Sequence, residues 1–160
     1  MKTMWNSMRS VKLSIFCTRL VVLTVALSAA GVVTPAGRDA LRYTFAGAIA
    51  QSGGDENLIA ILILYYVCCV PALAALFLLD RLLANIKKGL VFTEENVRAL
   101  RAISWCCFAE AFILAVAALR LAPTLFAVAV VMAFFGLILR VVKNVIDAAV
   151  ALKFENDFTI

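Results

Sequence analysis

Histidine is absent from this chain. That removes the commonest metal ligand and the side chain whose unperturbed pKa lies nearest neutrality. It also excludes any Ser–His or Cys–His nucleophilic pair. Charge is scarce: only 16% of the residues are Asp, Glu, Lys or Arg, against about a quarter in an ordinary soluble domain. Three prolines and seven glycines leave few breaks in regular structure. No phosphate-binding loop, no metalloprotease helix and no pair of carboxylates within one apolar run is present. The expectation is a protein that is not an enzyme, with no cofactor and no metal site.

What the chain has instead is apolar surface. Of its 160 residues 65% are hydrophobic, and the mean hydropathy is +1.03. So short a chain has too little interior to hide that surface from water, so lipid is the simpler solvent. Residues 11–33, 58–79, 102–119 and 124–142 form four apolar runs. Each is close to the ~20 residues that a helix needs to cross ~30 Å of hydrocarbon. The runs do not alternate polar and apolar residues as barrel strands would. The expected fold is all-α, a single membrane domain over residues 1–160. It is a four-transmembrane-helix bundle with a short interfacial outer helix between spans one and two.

The basic residues predict its orientation. Lys2, Arg9, Lys12, Arg19, Arg81, Lys87, Lys88, Arg98, Arg101, Arg140, Lys143 and Lys153 would share one side, and Arg38, Arg42 and Arg120 the other. This asymmetry predicts both termini in the cytoplasm, a multi-pass membrane protein with N-in/C-in topology. The net charge of +5 then reflects the lipid bilayer as partner, and no direct nucleic acid partner is expected. A basic start and a run ending in "LSAAGVVTPAG" also fit a cleaved signal peptide. The run is long for one and Arg19 lies inside it, so an uncleaved anchor is expected.

Between spans one and two, Pro35 suits a helix start, and Leu41, Phe45 and Ile49 recur every four residues. That spacing predicts a short amphipathic helix, capping the bundle or covering an outward cleft. "QSGGDENL" follows as an acidic turn. Spans three and four are joined by "RLAPT", a link tight enough to make them antiparallel neighbours.

The most polar block is "NIKKGLVFTEENVRALR", residues 85–101, within a cytoplasmic hairpin over residues 80–101. Gly89 suits a helix end, with Lys87 and Lys88 in the preceding turn. Thr93 is placed as the next N-cap, Glu94 and Glu95 fall in the first turn, and Glu94 and Arg98 are spaced i, i+4. The acids of the terminal "KFENDFTI", Glu155 and Asp157, are expected to fold back onto this hairpin and pair with Lys87, Lys88 or Arg98.

These two segments resemble the signatures of a bacterial integral-membrane family, domain of unknown function 2975. Gly89, Phe92, Thr93, Glu94, Glu95, Asn96, Leu100 and Arg101 match the first signature. Glu155, Asn156, Asp157, Thr159 and Ile160 match the second, with Phe158 where leucine is usual. The resemblance covers the chain from span two onward. It implies no biochemical activity. It implies a small helix-turn-helix regulator as a candidate cytoplasmic partner, because such regulators often accompany the family.

Inside the spans, Glu110 is the single deep acid. With spans three and four antiparallel, Arg140 lies about five residues nearer the cytoplasm, ~7–8 Å along the axis. Glu110 and Arg140 form a candidate intramembrane polar pair, structural or part of a proton or cation relay. Cys17, Cys68, Cys69, Cys106 and Cys107 read as small buried hydrophobes. The two cysteine pairs differ in depth by about 9 Å, and neighbours on a helix point about 100° apart, against a four-thiolate site. Pro71 is expected to weaken or kink span two. Ala129, Ala133 and Gly136 permit close helix contact, within the bundle or in a homodimer.

Two functions are compatible with these residues. One is a regulatory or scaffold protein that binds a cytoplasmic partner through the hairpin and tail, using Lys87, Lys88, Thr93, Glu94, Glu95, Arg98, Arg101, Glu155 and Asp157. The other is a small transporter or channel built on Glu110 and Arg140.

Overall fold

The computed structural model describes residues 2–44, 46–47, 58–121 and 123–158, with side chains for residues 11–44, 46–47, 58–121 and 123–155. Among these residues it forms five helices and no strand: α1 (Lys2–Gly31), α2 (Pro35–Thr44), α3 (Leu58–Lys87), α4 (Glu94–Ala118) and α5 (Thr124–Phe158). Four contain segments long and apolar enough to cross a membrane: Val11–Gly31, Leu58–Lys87, Glu94–Ala118 and Thr124–Glu155.

The helices outrun the apolar runs. α1 starts at Lys2 rather than at residue 11, and α3 continues about two turns past residue 79. α5 extends well beyond the apolar run that ends at residue 142, to Phe158. Hydropathy marks where lipid ends. Helix continues until a residue or a turn breaks it, and "NVIDAAVALKFENDF" contains neither glycine nor proline. α3 likewise runs through Pro71 without interruption, as membrane helices can when neighbours satisfy the freed carbonyl.

Successive long helices are antiparallel. Arg19 meets Asp80 while Ser28 meets Tyr65, which sets α1 against α3. Asn85 meets Asn96 and Cys68 meets Glu110, which sets α3 against α4. Ser104 meets Gly136, and Val97 lines one cleft with Val150, which sets α4 against α5. One end of the bundle therefore gathers the start of α1, the α3–α4 connection and the end of α5. It also holds Arg81, Lys87, Lys88, Arg98, Arg101, Arg140 and Lys143.

At the opposite end α2 turns back over the bundle. Thr34 is its N-cap: the hydroxyl accepts from the Gly37 amide at 3.2 Å and donates to the Gly31 carbonyl at 2.6 Å. Gly37 is required here because a Cβ would collide with the Gly31 backbone. Pro35 takes the first helical position, as its spacing predicts. Leu41 is buried with Val32, Ile61, Ala117 and Leu121, so α2 caps the bundle. Phe45, Ile49 and the "QSGGDEN" turn lie outside the described residues.

Most large apolar side chains point outward, Phe112, Leu119 and Phe134 among them. That suits lipid, where contact between apolar surfaces gains little over contact with acyl chains. Close packing and interhelical hydrogen bonds must then hold the bundle. Such bonds join each pair of successive long helices: the Tyr66 hydroxyl donates to the Ala29 carbonyl at 2.9 Å, Asn85 bonds Asn96 at 3.1 Å, and Ser104 bonds the Gly136 carbonyl at 2.9 Å.

Candidate functional site

The connection between α3 and α4 is built around one side chain. Asn96 is 2% exposed, the most buried large residue among those described. Its amide nitrogen donates to the carbonyls of Leu90 and Val91, at 2.7 and 2.9 Å, and its oxygen accepts from Asn85 Nδ2 at 3.1 Å. One asparagine thus satisfies two loop carbonyls and joins two helices, as a buried amide must.

Gly89 closes α3 as its position predicts. It has φ +80°, its amide donates to the Ile86 carbonyl, and the Leu90 amide donates to the Asn85 carbonyl. This is a Schellman ending, in which the left-handed residue is almost always glycine. Thr93 is the N-cap of α4, as its position predicts, but through its backbone alone. Its backbone takes the N-cap conformation, φ −134° and ψ 148°, and its carbonyl receives the amides of Asn96 and Val97. Its hydroxyl makes no capping bond and is buried without a partner among the described residues. The side-chain closure of the loop comes from Asn96, three residues later.

Around this core lie the charges. Arg98 pairs with Glu94 at 3.0 Å, as the i, i+4 spacing predicts. Glu95 reaches across the interface to Arg81. Lys87 and Lys88 are exposed. Up to Phe158 the tail continues as helix rather than folding back. α5 meets the hairpin side by side, because α4 and α5 are antiparallel. Glu94, Val97, Arg98 and Arg101 line a cleft of about 350 Å³ with Asp147, Val150, Ala151 and Phe154. A second cleft of about 570 Å³ on the α3 side is lined by Arg81, Asn85, Glu95 and Arg98, with Leu78, Ala99 and Ala102. Glu155 is exposed, and the side chain of Asp157 lies outside the described residues.

Deeper in the bundle, Glu110 and Arg140 are not brought together. Glu110 is 6% exposed and faces α3, where the Cys68 thiol is its neighbour. Arg140 lies over the Trp105 ring, 5.5 Å from its centroid. The axial offset estimated from the sequence was compatible with a pair, but helix rotation sends the two side chains to different interfaces. Cys106 and Cys107 lie about one turn before Glu110 on the same helix. No group of three or more His, Cys, Asp or Glu side chains among the described residues is arranged to hold a metal. All five cysteines are free; Cys17 is exposed on α1 and the other four are half-buried.

Sequence reasoning missed three contacts: Asn96 as the organiser of the connection, Cys68 as the neighbour of Glu110, and Asp80 as the partner of Arg19 at 3.2 Å. An asparagine directly after two glutamates in the first turn of a helix was the available signal for the first. The other two depend on helix rotation, which the sequence does not display.

A family model described as "Protein of unknown function (DUF2975)" matches residues 29–160. No curated protein and no solved structure matches the chain.

Proposed function

The chain belongs to the DUF2975 family of proteins of unknown function, and from that premise we propose that it is a small regulatory or scaffold protein of the bacterial inner membrane. It has no catalytic role of its own in this reading. Both termini face the cytoplasm, and the α3–α4 connection with the end of α5 forms a docking face for a soluble partner. The observation that carries the reading is Asn96. The most buried polar side chain of the described fold holds the shape of a surface connection, and that shape sets out Lys87, Lys88, Glu94 and Arg98 in exposed positions. A pre-organised charged surface favours binding because less ordering remains to be done on association. Arg101 continues the face along α4, and Asp147 and Phe154 extend it onto α5. A small helix-turn-helix regulator is the candidate partner.

The test is affinity purification from native membranes in mild detergent, with wild type beside a Lys87→Glu, Lys88→Glu, Arg98→Glu variant. A soluble protein should travel with the wild type and be lost from the variant. Identical co-purified proteins in both samples would sink the docking reading.

One observation favours a second reading, a small transporter or channel: a carboxyl in a span is costly and often marks an ion path, and Glu110 is such a group. Arg140, its expected partner, is engaged with Trp105 instead. Glu110→Gln should abolish proton or cation flux in proteoliposomes if this reading holds, with folding unchanged.

A further inference from the structure

A third cleft at the basic end differs from the two above. It measures about 370 Å³ and lies between α4 and α5, lined by Arg101, Ser104, Trp105, Arg140, Lys143 and Asn144. The α3-side cleft contains Glu95, and the cleft beside Phe154 contains Glu94 and Asp147. In this one no lining residue is acidic, while three are basic. Asp147 neutralises Lys143 from one turn further on, at 3.2 Å, and Lys143 also donates to Asn144 at 3.0 Å. The Arg140 guanidinium is held over the Trp105 ring. The cleft therefore keeps a surplus of positive charge, with one cation fixed in place by the indole.

Its position says what kind of anion it meets. Arg101, Ser104 and Trp105 stand where α4 enters its apolar run, at residue 102. Trp105 is 59% exposed, and a tryptophan with one apolar side and one polar edge suits the headgroup level of a bilayer. On α4, Phe108 and Phe112 continue the face of Trp105 one and two turns deeper. On α5, Leu137 and Phe134 are exposed in the same direction of depth. A molecule with its anionic group among the cations would lay an apolar body along these residues. A free inorganic ion would leave that surface unused.

We propose that this cleft binds the phosphate of an anionic phospholipid in the leaflet at the basic end of the bundle. Arg101 and Arg140, unpaired among the described residues, supply the charge, Lys143 adds a cation shared with Asp147, the Asn144 amide supplies a neutral donor, and Trp105 holds Arg140 and marks the headgroup level. Basic pockets between transmembrane helices are a recurrent means of holding anionic headgroups.

Native mass spectrometry of the full chain, released from mixed micelles of equimolar phosphatidylglycerol and phosphatidylcholine, reads the preference directly. The wild type should retain phosphatidylglycerol selectively. Thermal shift with added lipid compares two variants that each lose two positive charges: Arg140→Gln with Lys143→Gln at the site, and Lys12→Gln with Lys153→Gln away from it. The site variant should bind phosphatidylglycerol on the order of thirtyfold more weakly, at ~1 kcal/mol for each of the two basic residues. The remote variant should bind as the wild type does. Inorganic phosphate at matched concentration should not stabilise the wild type. Equal retention of the two lipids by the wild type, equal loss in both variants, or full stabilisation by inorganic phosphate would each overturn the proposal. The first and third readouts need no variant to fold.

Discussion

The Ser104 hydroxyl donates to the Gly136 carbonyl at 2.9 Å, buried between α4 and α5. The Phe108 ring lies on the same glycine, where a Cβ would meet ring atoms at 3.3 Å. A small residue on one helix thus admits both a polar tie and an aromatic from the other. This combination suits helices that gain little from apolar contact alone. Ser104→Ala should cost about 1 kcal/mol. Gly136→Leu should cost more, because the added side chain would have to displace Phe108 and part the helices. Thermal unfolding in one detergent should rank wild type above Ser104→Ala above Gly136→Leu. A Gly136→Leu protein as stable as wild type would contradict the close packing.

Asn96 supports the α3–α4 connection, so Asn96→Ala should leave the Leu90 and Val91 carbonyls without their donor and the Asn85 amide with Glu95 as its remaining acceptor. A loss of about 2–3 kcal/mol is expected, near the cost of unpaired buried groups. Asn96→Asp keeps the acceptor for Asn85 but cannot donate to the two carbonyls, and should be similarly damaging. Limited proteolysis between residues 88 and 93, followed by mass spectrometry, should show faster cleavage in both variants.

Gly89 has φ +80° and open space around its Cβ position. Any penalty on substitution is therefore one of backbone conformation. Gly89→Ala should destabilise by about 1 kcal/mol, and Gly89→Asn by less, since asparagine tolerates this region better. Chemical denaturation of the three proteins should give that order.

Arg19 and Asp80 tie α1 to α3 at 3.2 Å. Each lies near the membrane boundary, where a lone charge is harder to accommodate than in water. Arg19→Ala and Asp80→Ala should each lower stability, and the double variant should be more stable than additivity of the two single losses predicts. A double-mutant cycle in lipid nanodiscs measures this coupling. Strict additivity would show that the pair contributes nothing.

The spans were legible in the sequence because apolar length alone decides what lipid accepts. The antiparallel adjacency of α4 and α5 followed from the short "RLAPT" link, and the turn at Gly89 from a glycine after two lysines. The faces were not legible. The long helices are apolar on nearly every side, so no polar stripe marks the direction of a neighbour. Arg140 illustrates the consequence: its depth fits Glu110, but its rotation takes it to Trp105. Thr93 shows a different limit. Its position as N-cap was readable from residue type, but the choice of which side chain would seal the loop depended on Asn96 being enclosed.

By itself the sequence determined the solvent, the number of spans and the breaks between helices, since each rests on local composition or one residue's backbone preference. Tertiary structure alone decided the partners of the few polar side chains: Asn96 with the loop carbonyls, Glu110 with Cys68, Arg19 with Asp80, and three cations around one acid-free cleft. The physical reason is that a buried polar group must find whatever donor or acceptor the packing brings within about 3 Å. That depends on helix rotation and closeness, which small residues such as Gly136 permit.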